Sequence, residues 1–234
     1  MISKDLRVKI RLLHRWAGVI LGIQVALWVI SGAYFAWLSI DFIKGKETAN
    51  SFAESSFEQG SITPLSSLAL PPNFPLTSVQ VESTPRGILY HLQGSDKSAL
   101  YFDGHTAQKL TMITPENIRD LAFMQEQEAP ISEINLVDHP LPEYKGQLPI
   151  YQIKLHDGKM TNLYADPWTG RILARRNVYW SIYDFLWMLH IMDYKSREDF
   201  NNVWVRILSL GAIGILASGY LLFFVGKMPA RSKM

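Results

Sequence analysis

Two long apolar segments lie near the ends of this 234-residue chain, and a mixed polar segment separates them. Residues 16–40 form a run of 25 residues without a charge, and residues 207–226 form a run of 20. About 20 apolar helical residues are enough to cross the hydrocarbon core of a bilayer. The pattern predicts a membrane protein with transmembrane helices over 16–40 and 203–226.

The first apolar segment is too long for a cleaved signal peptide, whose apolar part has roughly 7–15 residues. Its end, "YFAWLSI", also lacks the small-x-small pattern of a cleavage site. We therefore expect this helix to be retained in the mature protein.

The segment between the spans repeats itself. "ITPLSSLA" at 62–69 matches "ITPENIRDLA" at 113–122, and in each the Thr-Pro pair predicts an N-cap followed by the first residue of a short helix. "PLTSVQV" and "PISEINL" follow with the alternation of a half-buried strand.

The ends of the two repeats also match. "YHLQGSDKSALYFDGHTAQKL" from Tyr90 aligns with "YQIKLHDGKMTNLYADPWTGRIL" from Tyr151, which pairs Asp103 with Asp166 at the same offset. "HDGK" predicts a two-residue hairpin, and "DPWTG" predicts a type I turn. We expect an α+β domain of two repeats, each a helix followed by antiparallel strands.

The predicted organisation is a series of eight segments: an N-terminus at 1–15, a span at 16–40, a linker at 41–60, repeats at 61–112 and 113–176, an interfacial helix and loop at 177–202, a span at 203–226 and a tail at 227–234.

These motifs resemble a known family. The second repeat is similar to a PepSY repeat, which usually ends in a strand, an Asp-Pro-x-Thr-Gly turn and a further strand. The flanking "LLHRWAGVILGI", "VISGAYFAWL", "FLWMLH" and "ILASGYLLFF" resemble the PepSY-associated transmembrane helix family. The resemblance implies a periplasmic domain of two PepSY-like repeats. Larger members include reductases of ferric siderophores, so iron reduction is the implied reaction, although this chain has fewer spans and fewer histidines.

Charge predicts the orientation. Residues 1–15 carry five basic side chains against one acid, and the tail carries three basic side chains and no acid, whereas residues 41–202 carry 14 basic and 20 acidic side chains. Because Lys and Arg near span ends stay in the cytoplasm, both termini are predicted to be cytoplasmic and the central domain periplasmic, in a bacterial inner membrane. The sequence pI near 8.7 is thus a sign of topology and not of nucleic-acid binding.

The chain has no cysteine, which excludes disulfides, iron–sulfur clusters and covalently attached c-type haem. No hydrolase elbow, HExxH motif or nucleotide-binding glycine loop is present. Any haem would be haem b held by histidines, and cytoplasmic electrons would come from a separate donor, for example a flavin-bearing protein.

Two of the six histidines lie next to membrane segments in aromatic surroundings: His14 in "LLHRWAG" and His190 in "FLWMLH". Each is either an interfacial anchor or an axial ligand of haem iron. The other four lie in predicted turns and strands, where solvation is expected: His91, His105, His139 and His156.

One iron cannot take both His14 and His190, because the first span separates them by roughly 30 Å at 1.5 Å per helical residue. A homodimer, or a similar second subunit, would supply the partner, since a two-fold interface pairs each residue with its equivalent. The prediction is two bis-histidine sites, one near each membrane face.

Other polar and small residues in the spans have two interpretations each. Arg15 and Arg206 either snorkel to the headgroups or pair with haem propionates. Small-xxx-small pairs, Gly18 with Gly22 and Gly214 with Ser218, serve helix contact or leave room for a porphyrin.

The sequence thus favours a haem b electron carrier, acting as a homodimer and resembling ferric-siderophore reductases. Two alternatives remain open. One is a membrane-tethered PepSY module that binds or regulates a peptidase, and the other is a subunit of a membrane redox complex that holds no cofactor.

Overall fold

The computed structural model describes residues 4–44, 60, 62–125 and 129–226. Most of the predicted linker at 41–60, and the predicted tail at 227–234, lie outside these residues. The chain divides into two compact units, a helical unit of residues 1–40 with 182–234 and an α+β unit of residues 41–181.

Five α-helices occur among the described residues: α1 (Lys4–Trp37), α2 (Ile40–Ile43), α3 (Pro115–Gln125), α4 (Val178–Ile191) and α5 (Val203–Gly226). The bounds of α5 agree with the predicted second span. Helix α1 begins twelve residues before the predicted first span, because Leu, Lys and Arg of the basic N-terminus are themselves good helix formers.

Two helices are long and apolar enough to cross a membrane, over Val8–Trp37 and Val203–Phe224. Their apolar side chains are largely exposed within the chain; Ile20 is 70% and Leu216 is 73% accessible. Soluble monomers rarely expose apolar surface on this scale, so a lipid environment fits these helices.

The α+β unit contains two antiparallel sheets. Their strands are β1 (Leu76–Thr84), β2 (Gly87–Gly94) and β3 (Ala99–Asp103) in the first sheet, and β4 (Ile131–Val137), β5 (Ile150–Leu155), β6 (Asn162–Ala165) and β7 (Ile172–Arg176) in the second. Strand order follows chain order in both sheets, so each sheet is a meander and lies within one predicted repeat.

The helix predicted at 62–69 is wrong. Only Leu65–Ser67 forms a single 3-10 turn, after which Leu68 is extended. Pro71 and Pro72 follow at once, and the residue before a proline is disfavoured in the α conformation. The second repeat has no such prolines after its Thr-Pro pair, and there α3 begins at Pro115 as predicted, with the Thr114 hydroxyl accepting from Asn117 N at 3.4 Å.

The hairpin predicted at "HDGK" is present, since β5 and β6 pair antiparallel, but its predicted two-residue turn is wrong because six residues separate the two strands. The Asp157 carboxylate organises this wider loop by accepting hydrogen bonds from Lys159 N (2.9 Å) and Thr161 N (3.2 Å) and from the Thr161 hydroxyl. Burial acts to raise the pKa of Asp157, but these hydrogen bonds outweigh it and hold the pKa below its usual range.

The "DPWTG" turn lies where it is predicted, but it closes one residue later than a type I turn, with Gly170 N donating to Asp166 O at 2.9 Å. The carboxylate Oδ1 of Asp166 accepts from Trp168 N (2.9 Å), Thr169 N (2.7 Å) and the Thr169 hydroxyl (3.0 Å).

The first repeat forms the same turn. Oδ1 of Asp103 accepts from His105 N (2.9 Å), Thr106 N (2.7 Å) and the Thr106 hydroxyl (3.0 Å). The offset predicted from sequence, Asp103 with Asp166 and Thr106 with Thr169, is therefore an equivalence of hydrogen bonds. We call these two segments, 103–106 and 166–169, the paired Asp–Thr turns.

Candidate functional site

Helices α1 and α5 run antiparallel and touch at two levels, about two helical turns apart. Leu21 packs on Gly211, where an added Cβ would meet Leu21 Cδ1 at 2.8 Å. Seven residues away on α1 and eight residues away on α5, His14 packs on Gly219, where an added Cβ would lie 3.1 Å from His14 Cε1 and 3.7 Å from Nε2. The glycines that make the close approach are therefore Gly211 and Gly219.

His14 is held by a serine of the facing helix. Its Nδ1 lies 2.7 Å from Ser218 Oγ, and the Ser218 hydroxyl donates to Ile215 O one turn back, at 2.8 Å. A serine hydroxyl has a single hydrogen. Because that hydrogen is directed at the carbonyl, the hydroxyl oxygen accepts from His14 Nδ1–H.

His190 has the same arrangement at the other end of α1. Its Nδ1 lies 2.7 Å from Ser31 Oγ, and the Ser31 hydroxyl donates to Leu27 O at 2.7 Å. Ser31 is only 1% accessible. This buried hydroxyl likewise accepts from His190 Nδ1–H.

With each serine hydroxyl bonded to a carbonyl of its own helix, the tautomer that completes both contacts has the proton on Nδ1 and the lone pair on Nε2. Among the described residues, no partner hydrogen-bonds to Nε2 of either ring. A metal-ligating histidine commonly donates its second ring N–H to a fixed acceptor, which sets the tautomer and the ring orientation. Each ring is thus prepared to coordinate a metal through Nε2.

A stripe on α1 fixes the end of α4 beside Ser31. Trp28 Nε1 donates to His190 O at 2.7 Å, and Gln24 Nε2 donates to Leu189 O at 3.2 Å. This contact places the side chain of Gln24 against α4, inside the helical unit. Trp28 and Gln24 of the first span therefore hold the C-terminal end of α4 through hydrogen bonds to its backbone.

Aromatic rings surround His190. Its ring lies 5.6 Å from that of Phe35, 6.3 Å from that of Trp28 and 6.4 Å from that of Trp187, to which it is parallel within 4°. Phe35 also contacts Tyr183, at 4.9 Å between centroids. The site around Nε2 is therefore apolar, and a flat hydrophobic group would find aromatic faces there.

The loop after α4 is also fixed. Asn202 Nδ2 donates to Ile191 O at 2.7 Å, which joins the end of α4 to the start of α5. Asp184 and Arg197 form an ion pair, and Trp187 Nε1 donates to Arg197 O at 3.1 Å. His190 is therefore positioned by three segments of the helical unit and not by a single exposed helix end.

The two histidines lie far apart. His190 contacts Ser31, which is 17 residues along α1 from His14. At 1.5 Å per residue this corresponds to about 25 Å. Axial ligands of one iron lie only about 4 Å apart, so His14 and His190 define two separate sites.

Arg15 and Arg206 are not brought to either histidine. Both are exposed, and the guanidinium of Arg15 lies over its neighbour Trp16, 5.5 Å from the ring centroid. The contacts predicted for the small-residue pairs are only partly formed. Added Cβ atoms at Gly18, Gly22 and Gly214 would meet nothing within 4 Å.

The sequence did not identify Ser31 and Ser218 as partners of the histidines. The available signal was polarity: a hydroxyl in an apolar span tends to face another helix and bond across it. That signal is weak, because the hydroxyl of a helical serine can instead donate to the carbonyl three or four residues back in its own helix.

The remaining histidines are in the α+β unit. His91 stacks on Tyr101 and lies 3.4 Å from Glu82, whereas His139 is 69% exposed beside Asp138. In the part of the chain that the structure describes, no group of three or more His, Asp or Glu side chains is placed to hold a metal ion.

Comparison with known proteins gave no match to a family model, to a curated protein or to a solved structure.

Proposed function

We propose that this chain is a haem b-binding electron-transfer protein of the bacterial inner membrane, related to the PepSY-associated transmembrane family. One observation carries the proposal. Nδ1 of His14 and Nδ1 of His190 each lie 2.7 Å from the hydroxyl oxygen of a helical serine, and no described residue hydrogen-bonds to Nε2 of either ring, at two levels of the helical unit.

The membrane setting is supported by the two apolar helices and by the distribution of charge. Basic residues are concentrated at the termini, and residues 41–202 carry an excess of acids. By the positive-inside tendency, both termini are cytoplasmic and the unit of residues 41–181 is periplasmic. His14 then belongs to the inner leaflet and His190 to the outer edge.

The residues present fit a haem. Neutral imidazoles are the ligands that b-type haem takes from histidine. Glycine at 219 lets α5 pass beside the Cε1 and Nε2 atoms of His14 without a side chain between them, and the aromatic rings around His190 provide apolar surface. His14 and His190 would hold the iron, and Arg15 and Arg206 are the cations available to propionates. The haem supplies one-electron exchange between its ferric and ferrous states.

A second copy of the chain completes the sites. Each chain offers one histidine per level, and a two-fold axis parallel to the helices pairs each residue with its equivalent. The open surfaces at Gly18, Gly22 and Gly214 are available for this contact, since small residues let helices approach closely in membranes. Two sites at different depths then form an electron path across the bilayer.

The donor is a separate cytoplasmic component, for example a flavin-bearing protein, because the sequence has no flavin or nucleotide motif. The acceptor class implied by the resemblance is a ferric siderophore, which would make the protein a ferric reductase or part of one.

The test is purification in mild detergent from haem-replete cells, followed by a reduced-minus-oxidised spectrum and a haem-to-protein ratio. We expect b-type bands and a ratio near one haem per chain, as two shared sites per dimer require. His14→Ala and His190→Ala should each remove about half of the haem if the two sites are independent.

His139→Ala is the matched control, since His139 is exposed in the α+β unit, and it should leave the haem content unchanged. A haem-free wild-type protein, or full haem retention in both membrane variants, would overturn the proposal. Sedimentation of the wild type in detergent should give a dimer.

A further inference from the structure

The α+β unit contains a cavity of about 400 Å³ that the electron-transfer proposal does not use. It lies between β3 of the first sheet, β7 of the second sheet and the loop at 144–149. Its lining includes three aromatic rings, two cations and one carboxylate: Tyr101, Tyr144, Trp168, Lys145, Arg176 and Asp166. Ligand sites of this size typically combine apolar walls with a few placed polar groups.

One wall is a stack of aromatic rings built from both repeats. The rings of His91 and Tyr101 lie 4.6 Å apart within 8° of parallel, and those of Tyr101 and Trp168 lie 5.4 Å apart within 16°. Trp168 is fixed because it belongs to an Asp–Thr turn and its carbonyl accepts from Arg86 at 3.1 Å. Tyr101 is therefore held in a stack with His91 and Trp168, and of these three rings Tyr101 and Trp168 line the cavity.

The Tyr101 phenol is neutral at physiological pH. Burial, together with the charges of Asp166 and Glu82, raises the pKa of Tyr101 to about 12. Tyr101 thus lines the cavity without adding a negative charge.

The facing wall is Tyr144, whose ring stacks on Tyr164 at 4.9 Å. The loop passes close to this ring, and a Cβ at Gly146 would meet the Tyr144 hydroxyl oxygen at 2.2 Å. Glycine at 146 lets the backbone cross the tyrosine, and the next residues, Leu148 and Pro149, complete the lining.

The charges in the lining favour an anion. The lining holds two cations, Lys145 and Arg176, and one carboxylate, Asp166, whose Oδ1 already accepts three hydrogen bonds from its own turn. The Arg176 guanidinium is fixed in place, since its Nε donates to Glu143 O at 2.8 Å and its plane covers the Trp180 ring at 4.3 Å. A fixed guanidinium is well suited to a carboxylate.

We propose that this cavity binds a planar aromatic carboxylate of one or two rings, with the rings against Trp168 at the end of the stack and the carboxylate towards Lys145 and Arg176. The site is independent of the histidines of the helical unit. Absence of ligand binding in the cavity would therefore not count against the haem proposal, and absence of haem would not count against the cavity proposal.

The probe is 2-naphthoate, titrated into the full-length protein in neutral detergent by calorimetry, with a detergent-only blank. Saturable binding is expected. Trp168→Leu should weaken the affinity about tenfold through loss of the ring face, and Lys145→Gln about threefold through loss of an exposed charge. Lys97→Gln is the matched control, because Lys97 is equally exposed and lies outside the cavity, and it should bind as the wild type does.

A non-aromatic carboxylate tests the role of the rings. Cyclohexanecarboxylate should bind at least tenfold more weakly than 2-naphthoate and should be insensitive to Trp168→Leu. Thermal unfolding of each variant separates loss of the site from loss of the fold, and Lys145→Gln changes only an exposed side chain. Absence of saturable binding, or equal affinity in the wild type, Trp168→Leu and Lys145→Gln, would overturn the proposal.

Discussion

His14 Nδ1 and Ser218 Oγ lie 2.7 Å apart although 204 residues separate them in the sequence. The bond joins the first apolar helix to the last one and orients the imidazole. Its counterpart is the bond between His190 and Ser31, at the same distance and with the same ring nitrogen. The two contacts make a pair of equally prepared imidazoles in one helical unit.

Ser218→Ala should change the tautomer of His14. Without the hydroxyl oxygen, the Nδ1–H tautomer loses its hydrogen-bond acceptor, which is worth about 1 kcal/mol. The ratio of the two tautomers should therefore shift roughly fivefold towards Nε2–H. ¹⁵N NMR of ring-labelled histidine in the haem-free protein measures this ratio.

Ser209→Ala is the control for that experiment, since Ser209 is another serine of α5, and it should leave the spectrum unchanged. Ser218→Thr keeps a hydroxyl and should restore the wild-type tautomer. An unaltered His14 signal in Ser218→Ala would show that the serine does not set the tautomer.

Gly219→Leu should loosen the contact between α1 and α5. A Cβ at 219 already stands 3.1 Å from His14 Cε1, so a larger side chain displaces the imidazole. Overpacking of this kind costs about 1–3 kcal/mol. The midpoint temperature of thermal unfolding in detergent should therefore be lower than that of the wild type. Gly219→Ala adds only this Cβ, 3.1 Å from the ring, and should therefore lose less stability than Gly219→Leu. Equal loss in both variants would contradict the contact.

Gly170→Ala should destabilise the α+β unit more than Gly158→Ala. Both glycines have positive φ, 72° and 68°, so both substitutions carry the strain of a left-handed backbone. Only at Gly170 does the new Cβ meet a neighbour, Leu121 Cδ1 at 2.7 Å. We expect a difference of about 1–2 kcal/mol in the free energy of unfolding, measured by denaturant titration. Indistinguishable variants would be inconsistent with this packing.

The loop between β5 and β6 should lose stability in acid. Since the pKa of Asp157 is lower in the folded chain than in the unfolded one, its carboxylate stabilises the fold above the unfolded pKa of about 3.9. That contribution is lost as pH falls through the folded pKa. The melting temperature of the wild type should therefore exceed that of Asp157→Asn at pH 7, and the gap should narrow from pH 5 towards pH 3. A gap independent of pH would refute the assignment.

Much of the fold follows from local pattern. Length and hydropathy are enough to predict α5 to the residue, and alternation predicts strands in both repeats. The equivalence of Asp103 and Asp166 is readable because a turn that needs a carboxylate and a threonine at fixed spacing conserves both within one chain. The helix, the strands and the turns that could be predicted all depend on residues that lie close together in the sequence.

The two wrong predictions, a helix at 62–69 and a two-residue turn at "HDGK", also have local causes. At 62–69 the Thr-Pro signal was right about a turn, but Pro71 and Pro72 limit its length. At "HDGK" the short polar stretch suggested a tight hairpin, yet Asp157 reaches forward to Thr161 and opens the loop. A side chain that bonds to the backbone several residues away is invisible to a turn rule based on adjacent residues.

The sequence predicted the two histidines of the candidate site but not the two serines that contact them. His14 and His190 were singled out by their position beside apolar runs, and their separation followed from helical rise. Ser218 and Ser31 could not be assigned, because each partnership depends on which helix faces which. The cavity near Trp168 was not anticipated at all, since its rings come from two repeats that the sequence treats as separate.

The paired Asp–Thr turns differ at two positions: Gly104 and His105 stand in the first where Pro167 and Trp168 stand in the second. The backbone hydrogen bonds depend on the flanking carboxylate and hydroxyl, so the third residue, His105 or Trp168, is free to vary without cost to the turn. A segment copied once within a gene could therefore keep one version as plain scaffold while the other acquired a new side chain. The turn is a place where this protein could evolve new specificity without first having to evolve new structure.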